Sequence, residues 1–134
     1  MYFTELLWYF IKMKKILIAD DTLLVRKVLK DALSKSGYEV LEAENGRIAY
    51  DLAVEEKPDL VILDVMMPEF SGIETTKNIR SDQRINHIPI IISTGARNML
   101  AEFNKSPDTA IQGFLEKPYK SEMILHKIRA VLGD

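Results

Sequence analysis

Short aliphatic runs without polar interruption recur along this chain, and each one ends directly before polar residues. The three clearest are Lys15–Ala19, Leu60–Leu63 and residues 88–92. Runs of this kind are typical of strands that are covered on both faces in a parallel sheet. Residues 38–42, which alternate with period two, and Gly113–Glu116 complete a set of five candidate strands. This feature constrains the fold strongly, because parallel strands need long crossover connections.

Apolar residues at helical spacing lie between the candidate strands and supply those connections. They are Val25, Val28, Leu29 and Ala32; Ile48, Ala49, Leu52 and Ala53; and Ile124, Leu125, Ile128, Val131 and Leu132. A weaker stripe runs through Ile73, Thr76 and Ile79. A fifth segment, with Met99, Leu100 and Phe103, predicts a short helix that stops before Pro107. Five successive β–α units predict an α/β fold with a doubly wound parallel sheet and right-handed crossovers.

Ligands bind to such sheets outside the carboxyl ends of the strands. The polar residues that follow four of the five candidate strands are Asp20, Asp21, Asp64, Thr94 and Lys117. We therefore expect three carboxylates, one hydroxyl and one ammonium group to meet at a single rim of the sheet.

This combination of groups indicates a metal-assisted aspartyl-phosphate site. Crowded carboxylates raise one another's pKa unless a cation neutralises them, and Mg2+ suits a site with few protein carboxylates because it retains waters. A carboxylate beside a bound metal can act as a nucleophile and form an acyl phosphate. The metal and Lys117 would stabilise the charge of the transferring phosphoryl group, and Thr94 could hydrogen-bond it afterwards.

Each residue also has an ordinary structural interpretation. A single aspartate after a strand usually caps a helix or a turn, and Thr94 could cap the helix that follows it. Lys117 before a proline is commonly a solvated surface lysine, Met66 is apolar cover for its loop, and Phe114 is a core residue by composition. The joint occurrence of five such residues at four strand ends favours the functional interpretation.

Four motifs then occur in order. They are Ile16-Leu-Ile-Ala-Asp20-Asp21, Pro58-Asp-Leu-Val-Ile-Leu-Asp64-Val-Met-Met-Pro68 with Ser71-Gly72, Pro89-Ile-Ile-Ile-Ser-Thr94, and Lys117-Pro118-Tyr119. With these motifs, residues 14–132 resemble the receiver domains of two-component response regulators, in particular stand-alone receivers of the chemotaxis-regulator type. The resemblance implies a flavodoxin-like fold with strand order 2-1-3-4-5 and five helices.

The resemblance also implies roles for the residues of the rim. Asp64 would be the phosphoacceptor, taking a phosphoryl group from a histidine kinase or a phosphotransfer protein. Asp21 would bind Mg2+ or Mn2+ directly, Asp20 would act through water, and the Met66 carbonyl would complete the metal site with Asp64. Lys117 would pair with the phosphoryl oxygens. Such a domain catalyses only its own phosphorylation and dephosphorylation, and it is not expected to turn over other substrates.

In receiver domains the response to phosphorylation involves a switch pair, which the resemblance places at Thr94 and Phe114. Thr94 would move toward the phosphate and Phe114 would turn inward, which changes the partner preference of the surface formed by the fourth helix, the fifth strand and the fifth helix. Residues 99–112 depart from the family pattern, because Pro107 and Asp108 predict a short or irregular helix before the last strand.

Other interpretations remain open. A metal-dependent aspartyl-phosphate phosphatase would want an acid two positions after its nucleophile, where this chain has Met66. A flavin or nucleotide module would want a glycine-rich loop after the first strand, where Asp20 and Asp21 stand. A receiver cut from a larger regulator or hybrid kinase, and a phosphorylation-dead scaffold, are further options. No effector sequence follows residue 132, so the expected output is protein contact.

The first thirteen residues differ from the rest, and we expect the receiver domain to comprise residues 14–134. Ten of residues 1–13 are apolar, and they include five of the chain's eleven aromatic residues. The segment is too short to span a membrane and lacks the features of a secretory signal. It is either an artefact of start assignment, with Met13 as the natural start, or an apolar arm that packs on this domain or on a second copy in a homodimer.

Composition restricts the partners and the chemistry. The net charge of −2 gives no general attraction to nucleic acid or anionic lipid, so direct nucleic-acid binding and membrane insertion are not expected. The absence of cysteine excludes disulfides, thiolate metal sites and thiol catalysis. A reducing, cytoplasmic location agrees with this composition.

Overall fold

In a computed structural model of the chain, residues 3–134 are described, with the exception of the side chains of residues 9–12. The described strands are β1 (Lys15–Ala19), β2 (Glu39–Ala43), β3 (Leu60–Leu63), β4 (Ile90–Thr94) and β5 (Gly113–Glu116). The described α-helices are α1 (Phe3–Lys12), α2 (Leu23–Lys35), α3 (Gly46–Glu56), α4 (Gly72–Ser81) and α5 (Ser121–Leu132).

The five strands form one parallel sheet in the order β2-β1-β3-β4-β5, which confirms the expected topology. The bounds of β1, β3 and β5 agree with the sequence patterns. Strand β4 begins two residues later than expected, because Ile88 N donates to Ile85 O in a turn and Pro89 has no amide hydrogen. The strand then continues through Thr94, so that this side chain lies at its carboxyl end.

The sheet is covered on both faces, as its uninterrupted aliphatic strands require. Alternate residues of each strand point to opposite faces. Leu17, Val61 and Ile92 belong to the core under α3 and α4, together with Ala49 and Ile79 of those helices. Ile16, Ile18, Leu60, Ile62 and Ile91 belong to the core on the other side, with Leu29 and Leu33 of α2 and Ile124 and Ile128 of α5. The two cores hold the central strands rigidly and thereby fix the positions of their carboxyl ends.

The connection between β4 and β5 is not an α-helix. It consists of two 3-10 helices, Arg97–Glu102 and Pro107–Thr109, which confirms the expectation of a short or irregular helix. Asn104 takes a left-handed conformation with φ of 60° between them, and its side chain accepts a hydrogen bond from Ile111 N at 2.8 Å. Phe103 is buried and attaches the segment to the core. The receiver region therefore has α2–α5 in four of the five expected helix positions and these 3-10 turns in the fifth.

Helix α1 precedes the sheet and lies in the segment that the sequence sets apart. Its described apolar side chains are largely exposed, with Phe3 77% and Trp8 61% accessible. Residues 1 and 2 of that segment lie outside the described part of the chain. Among the described residues, no helix combines the length and apolar character that crossing a membrane requires.

Candidate functional site

Four strand ends bring the expected polar residues to one rim. Asp20 follows β1, Asp64 follows β3, Thr94 ends β4 and Lys117 follows β5. The hydrogen-bond ladder of the sheet extends to these positions, since Asp64 N donates to Ala19 O and Lys117 N donates to Thr94 O, each at 2.9 Å. The backbone of the site is thus a continuation of the sheet and shares its rigidity.

Tight turns set the direction of three of these side chains. In each turn a side-chain oxygen accepts a hydrogen bond from the amide two residues later, a pattern common for Asp and Thr. The three bonds are Thr22 N to Asp20 Oδ1 at 2.9 Å, Met66 N to Asp64 Oδ1 at 3.2 Å, and Ala96 N to Thr94 Oγ1 at 3.0 Å. The turn interpretation therefore holds for Asp20 and Asp64, and it leaves the second carboxylate oxygen of each free of the turn and within reach of Lys117.

Lys117 bridges two carboxylates. Its Nζ lies 2.5 Å from Asp20 Oδ2 and 2.9 Å from Asp64 Oδ2, and both aspartates are buried. Burial lowers the pKa of Lys117, but the hydrogen bonds and charges of the two aspartates outweigh it and raise the pKa above its ordinary value. The lysine is therefore a charged partner within the site rather than a solvated surface side chain.

Asp21 joins these two aspartates in an acidic cluster. One carboxylate oxygen from each of Asp20, Asp21 and Asp64 lies within 4.8 Å of the others. Asp21 is exposed, so the cluster opens to solvent on its side. Three carboxylates against the single ammonium group of Lys117 leave two negative charges, which a divalent cation would balance. Hard oxygen donors at this spacing fit Mg2+.

Two residues that sequence reasoning did not single out for a role support the site. Arg26 of α2 donates from Nη1 to the backbone carbonyl of Asp20 at 2.6 Å, and its Nε lies 3.3 Å from Glu42. Gly72 begins α4 directly beside Asp64, where a Cβ would lie only 2.5 Å from the Asp64 carbonyl oxygen. Gly72 N also donates to Val65 O at 2.8 Å. The Ser71-Gly72 motif signalled this close approach, whereas nothing local in the sequence signalled Arg26.

Two apolar side chains of the proposed set lie at the surface. Met66 is 63% exposed beside Asp64, which agrees with its interpretation as cover for the loop. The interpretation of Phe114 as a core residue is wrong, because its side chain is 51% exposed. The reason is the position of β5 at the edge of the sheet, where Leu115 faces the core and its neighbours face outward.

An apolar groove adjoins the rim on the α2 side. It lies between α2 and the loop after β5, and it is lined by Leu24, Val25, Val28, Leu29, Lys117, Pro118, Tyr119 and Ser121. Leu24 and Val28 expose 70% and 50% of their side chains there. Exposed apolar surface next to a polar site indicates contact with a macromolecule rather than with a small polar molecule alone.

Comparisons with known proteins agree with this geometry. Residues 16–129 match the family model of the response regulator receiver domain. The polar-differentiation response regulator DivK of Brucella anthropi is 35% identical over 121 residues, which are 90% of this chain and 98% of that protein.

Solved structures of receivers have the same fold. The chemotaxis response regulator CheY4 of Vibrio cholerae superposes with a TM-score of 0.81 at 30% identity, covering 90% of this chain and 100% of that chain. The receiver domain of the sensor histidine kinase PA1611 from Pseudomonas aeruginosa PAO1, which has a magnesium ion coordinated in its active site cleft, superposes with a TM-score of 0.79. It is 24% identical and covers 91% of this chain and 99% of that chain, a likeness that concerns the fold. With a family match over most of its length and this strand order, the chain belongs to the response regulator receiver domains of two-component signal transduction, for which phosphorelay signalling is implied.

Proposed function

We propose that Asp64 accepts a phosphoryl group from the phosphohistidine of a histidine kinase or phosphotransfer protein, in a reaction that depends on Mg2+ or Mn2+. An Asp64 carboxylate oxygen forms a bond to phosphorus, the P–N bond of the donor breaks, and the imidazole leaves with the electron pair. The observation that carries this proposal is the Asp64 carboxylate itself, which is buried, bridged to Lys117 and grouped with two further aspartates.

The acidic cluster supports the metal part of the proposal. Asp21 and Asp64 would bind the ion directly, Asp20 through water, and the Met66 backbone carbonyl would supply a further oxygen. When bound, the ion neutralises negative charge on the phosphoryl oxygens. The magnesium in the PA1611 receiver domain agrees with this assignment, and the oxygen donors of this chain fit the same ion.

Lys117 supplies the second positive charge of the proposed reaction. In the structure its ammonium group lies between the acceptor and Asp20, so the positive charge is already placed at the acceptor before a phosphoryl group arrives. Preorganised charge of this kind stabilises a transition state without a reorganisation cost. We assign Lys117 to the phosphoryl oxygens of the phosphorylated state.

The proposed output is a change in protein contacts. Thr94 is fully buried at the rim, with its hydroxyl bonded to the Ala96 amide, and Phe114 is exposed two strand positions from the end of β5. In our proposal phosphorylation draws the Thr94 hydroxyl toward the phosphate and lets Phe114 turn inward, which changes the surface of β5 and α5. Because Phe114 is exposed in the structure, the proposed movement takes its side chain from the surface toward the core.

A protein donor agrees with the surroundings of Asp64 better than a small phosphoester does. The groove of α2 and the exposed Leu24 and Val28 lie next to Lys117, so a donor protein has apolar surface to bind while its phosphohistidine reaches the rim. The phosphatase alternative lacks its second acid, because Met66 occupies that position. A hydrolase acting on small phosphoesters is therefore the weaker candidate.

We further propose that residues 14–134 form the functional domain, with residues 1–13 as a separate apolar extension. The family match begins at residue 16 and β1 begins at Lys15. Both agree with a domain that starts just before the first strand. A cytoplasmic location, expected from the lack of cysteine, stays a prediction.

The proposal is tested with a small-molecule donor. The protein is incubated with acetyl phosphate in the presence and absence of Mg2+, and intact mass is followed. We expect the mass of one phosphoryl group to be added only with Mg2+. Asp64→Asn should abolish the modification, because an amide is a poor nucleophile. A labile acyl phosphate that persists in Asp64→Asn, or a lack of metal-dependent modification in the wild type, would contradict the assignment.

A further inference from the structure

A partly buried hydrogen bond ties the loop after β5 to strand β4. The hydroxyl groups of Tyr119 and Ser93 lie 2.8 Å apart, and either one can donate. Ser93 is only 2% exposed. The Tyr119 ring packs against the core on the α2 and α5 side of the sheet, so its hydroxyl reaches Ser93 from within the fold. Burial raises the pKa of Tyr119, which keeps its hydroxyl protonated.

This bond joins two of the four backbone segments that carry site residues. Ser93 directly precedes Thr94 on β4, and Tyr119 lies two residues after Lys117. Between these two, Pro118 has no amide hydrogen, so the loop cannot be held there by a backbone donor. Besides the Lys117 ammonium bonds and the packing of the Tyr119 ring, this corner is held by the Lys117 N to Thr94 O bond at 2.9 Å and by the Tyr119–Ser93 bond.

The position of the Lys117 ammonium group depends on this anchorage. A lysine side chain is a flexible stem with four rotatable bonds, so the location of its charge is set by where its backbone begins and by what the charge contacts. Here the contacts are the carboxylates of Asp20 and Asp64, and the proposed reaction alters that of Asp64. Once Asp64 carries a phosphoryl group, the backbone position of Lys117 becomes the main constraint on where its ammonium group can lie.

We propose that Tyr119 is a positioning residue for Lys117, acting through its hydroxyl bond to Ser93. This inference rests on the proposed function, because it assigns a role within the same phosphoryl transfer. Tyr119 does not touch the reacting groups. Its bond holds the loop so that the ammonium group of Lys117 stays over the acceptor oxygens while the phosphoryl group is transferred. Loss of the bond would therefore slow transfer while the metal-binding carboxylates keep their positions.

The test uses Tyr119→Phe, which keeps the packed ring and removes the hydroxyl. The rate of phosphorylation by acetyl phosphate is measured over a range of Mg2+ concentrations in the full chain. We expect the second-order rate constant at saturating Mg2+ to fall about tenfold, since a misplaced catalytic group costs one to two orders of magnitude. The Mg2+ concentration that gives half the maximal rate should change less than about twofold, because the carboxylates are untouched. The 19F spectrum of bound beryllium fluoride should also shift in the variant.

Two further variants show whether the hydrogen bond is the cause. Ser93→Ala removes the other partner, and the double variant Tyr119→Phe with Ser93→Ala removes both. If the two hydroxyl groups act only through this bond, all three variants should have the same phosphorylation rate, as a double-mutant cycle requires for coupled residues. Independent effects that multiply in the double variant would show that the bond is not responsible.

Tyr38→Phe is the matched control. The Tyr38 hydroxyl also makes a partly buried hydrogen bond, to Asp134 Oδ2 at 2.8 Å, but Tyr38 directly precedes β2, at the amino-terminal end of the sheet and away from the rim. The Tyr38→Phe variant should be phosphorylated by acetyl phosphate at the wild-type rate. Equal rates for wild type and Tyr119→Phe, or a parallel loss of Mg2+ affinity, would overturn the inference. A wild-type protein that is not phosphorylated at all contradicts the proposed function itself, which is a distinguishable result.

Discussion

At the level of single residues, Lys117 couples the stability of the rim to the proposed reaction. It is the cation between two buried carboxylates, Asp20 and Asp64, whose side chains are only 4% and 10% exposed. Removal of one member of a buried charge cluster leaves the others without compensation. The same side chain therefore affects stability and the proposed reaction, and the two effects can be separated by measuring both.

We expect Lys117→Ala to lower the free energy of unfolding by about 1–3 kcal/mol without Mg2+, because Asp20 and Asp64 lose their charged partner. The rate of phosphorylation by acetyl phosphate should fall about a hundredfold, as when one preorganised group of an active site is removed. Added Mg2+ should stabilise the variant more than the wild type, since no lysine competes for Asp20. Denaturant unfolding and intact mass measure these quantities.

Lys120→Ala provides the control for Lys117, because Lys120 is an exposed lysine in the same loop. It should change neither stability nor rate appreciably. A Lys117→Ala protein that loses stability but keeps the wild-type rate would assign the lysine to structure alone.

At the level of elements, the connection from β4 to β5 departs most from a regular α/β unit. Two 3-10 helices replace an α-helix there, and Arg80 at the end of α4 holds the second half of the segment. Its guanidinium donates to Ala110 O at 3.0 Å and to Gln112 Oε1 at 2.9 Å, and also to Ile88 O at 2.7 Å. Burial lowers the pKa of Arg80. The arginine thus supplies contacts between elements that a regular helix would make by packing.

We expect Arg80→Lys to lower the free energy of unfolding by about 2 kcal/mol, because a lysine cannot reproduce the forked hydrogen bonds and leaves carbonyls without donors. Lys77→Ala, an exposed position of the same helix, should cost less than about 0.5 kcal/mol. Denaturant unfolding of the two variants measures the difference. Equal stabilities would mean that the segment holds its conformation without Arg80.

At the level of the whole molecule, the sequence predicted what periodicity and local chemistry determine. Aliphatic runs located the strands, and the residues after them located the rim, because parallel strands must share their carboxyl edge. Pro107 signalled the broken helix. The bonds of Arg26, Arg80 and Tyr119 were not predictable, since each joins positions at least six residues apart that only tertiary packing brings together. The exposure of Phe114 depended in the same way on the place of β5 in the sheet.

The two ends of the receiver region meet at the edge of the fold opposite the site. The Tyr38 hydroxyl donates to Asp134 Oδ2 at 2.8 Å, and Lys14 Nζ donates to the other oxygen of the same carboxylate. Residues before β1, before β2 and after α5 are therefore joined by one cluster. Burial, followed by the hydrogen bond and the charge of Asp134, raises the pKa of Tyr38 from 10.0 to about 12.

Because this pKa is raised, the stability that Tyr38 contributes depends on pH in the alkaline range. A group whose pKa is raised by folding contributes its full stability below the unfolded pKa and loses it as the pH rises through the folded pKa. Near neutral pH, Tyr38→Phe should therefore be about 1 kcal/mol less stable than the wild type, the value of one hydrogen bond. The difference should shrink as the pH rises from 10.0 to about 12, because the unfolded wild type is then ionised at Tyr38 and must either take up a proton on folding or bury a phenolate. Denaturant unfolding of both proteins across this interval measures the effect, and a stability difference that stays constant with pH would show that folding does not raise the pKa of Tyr38.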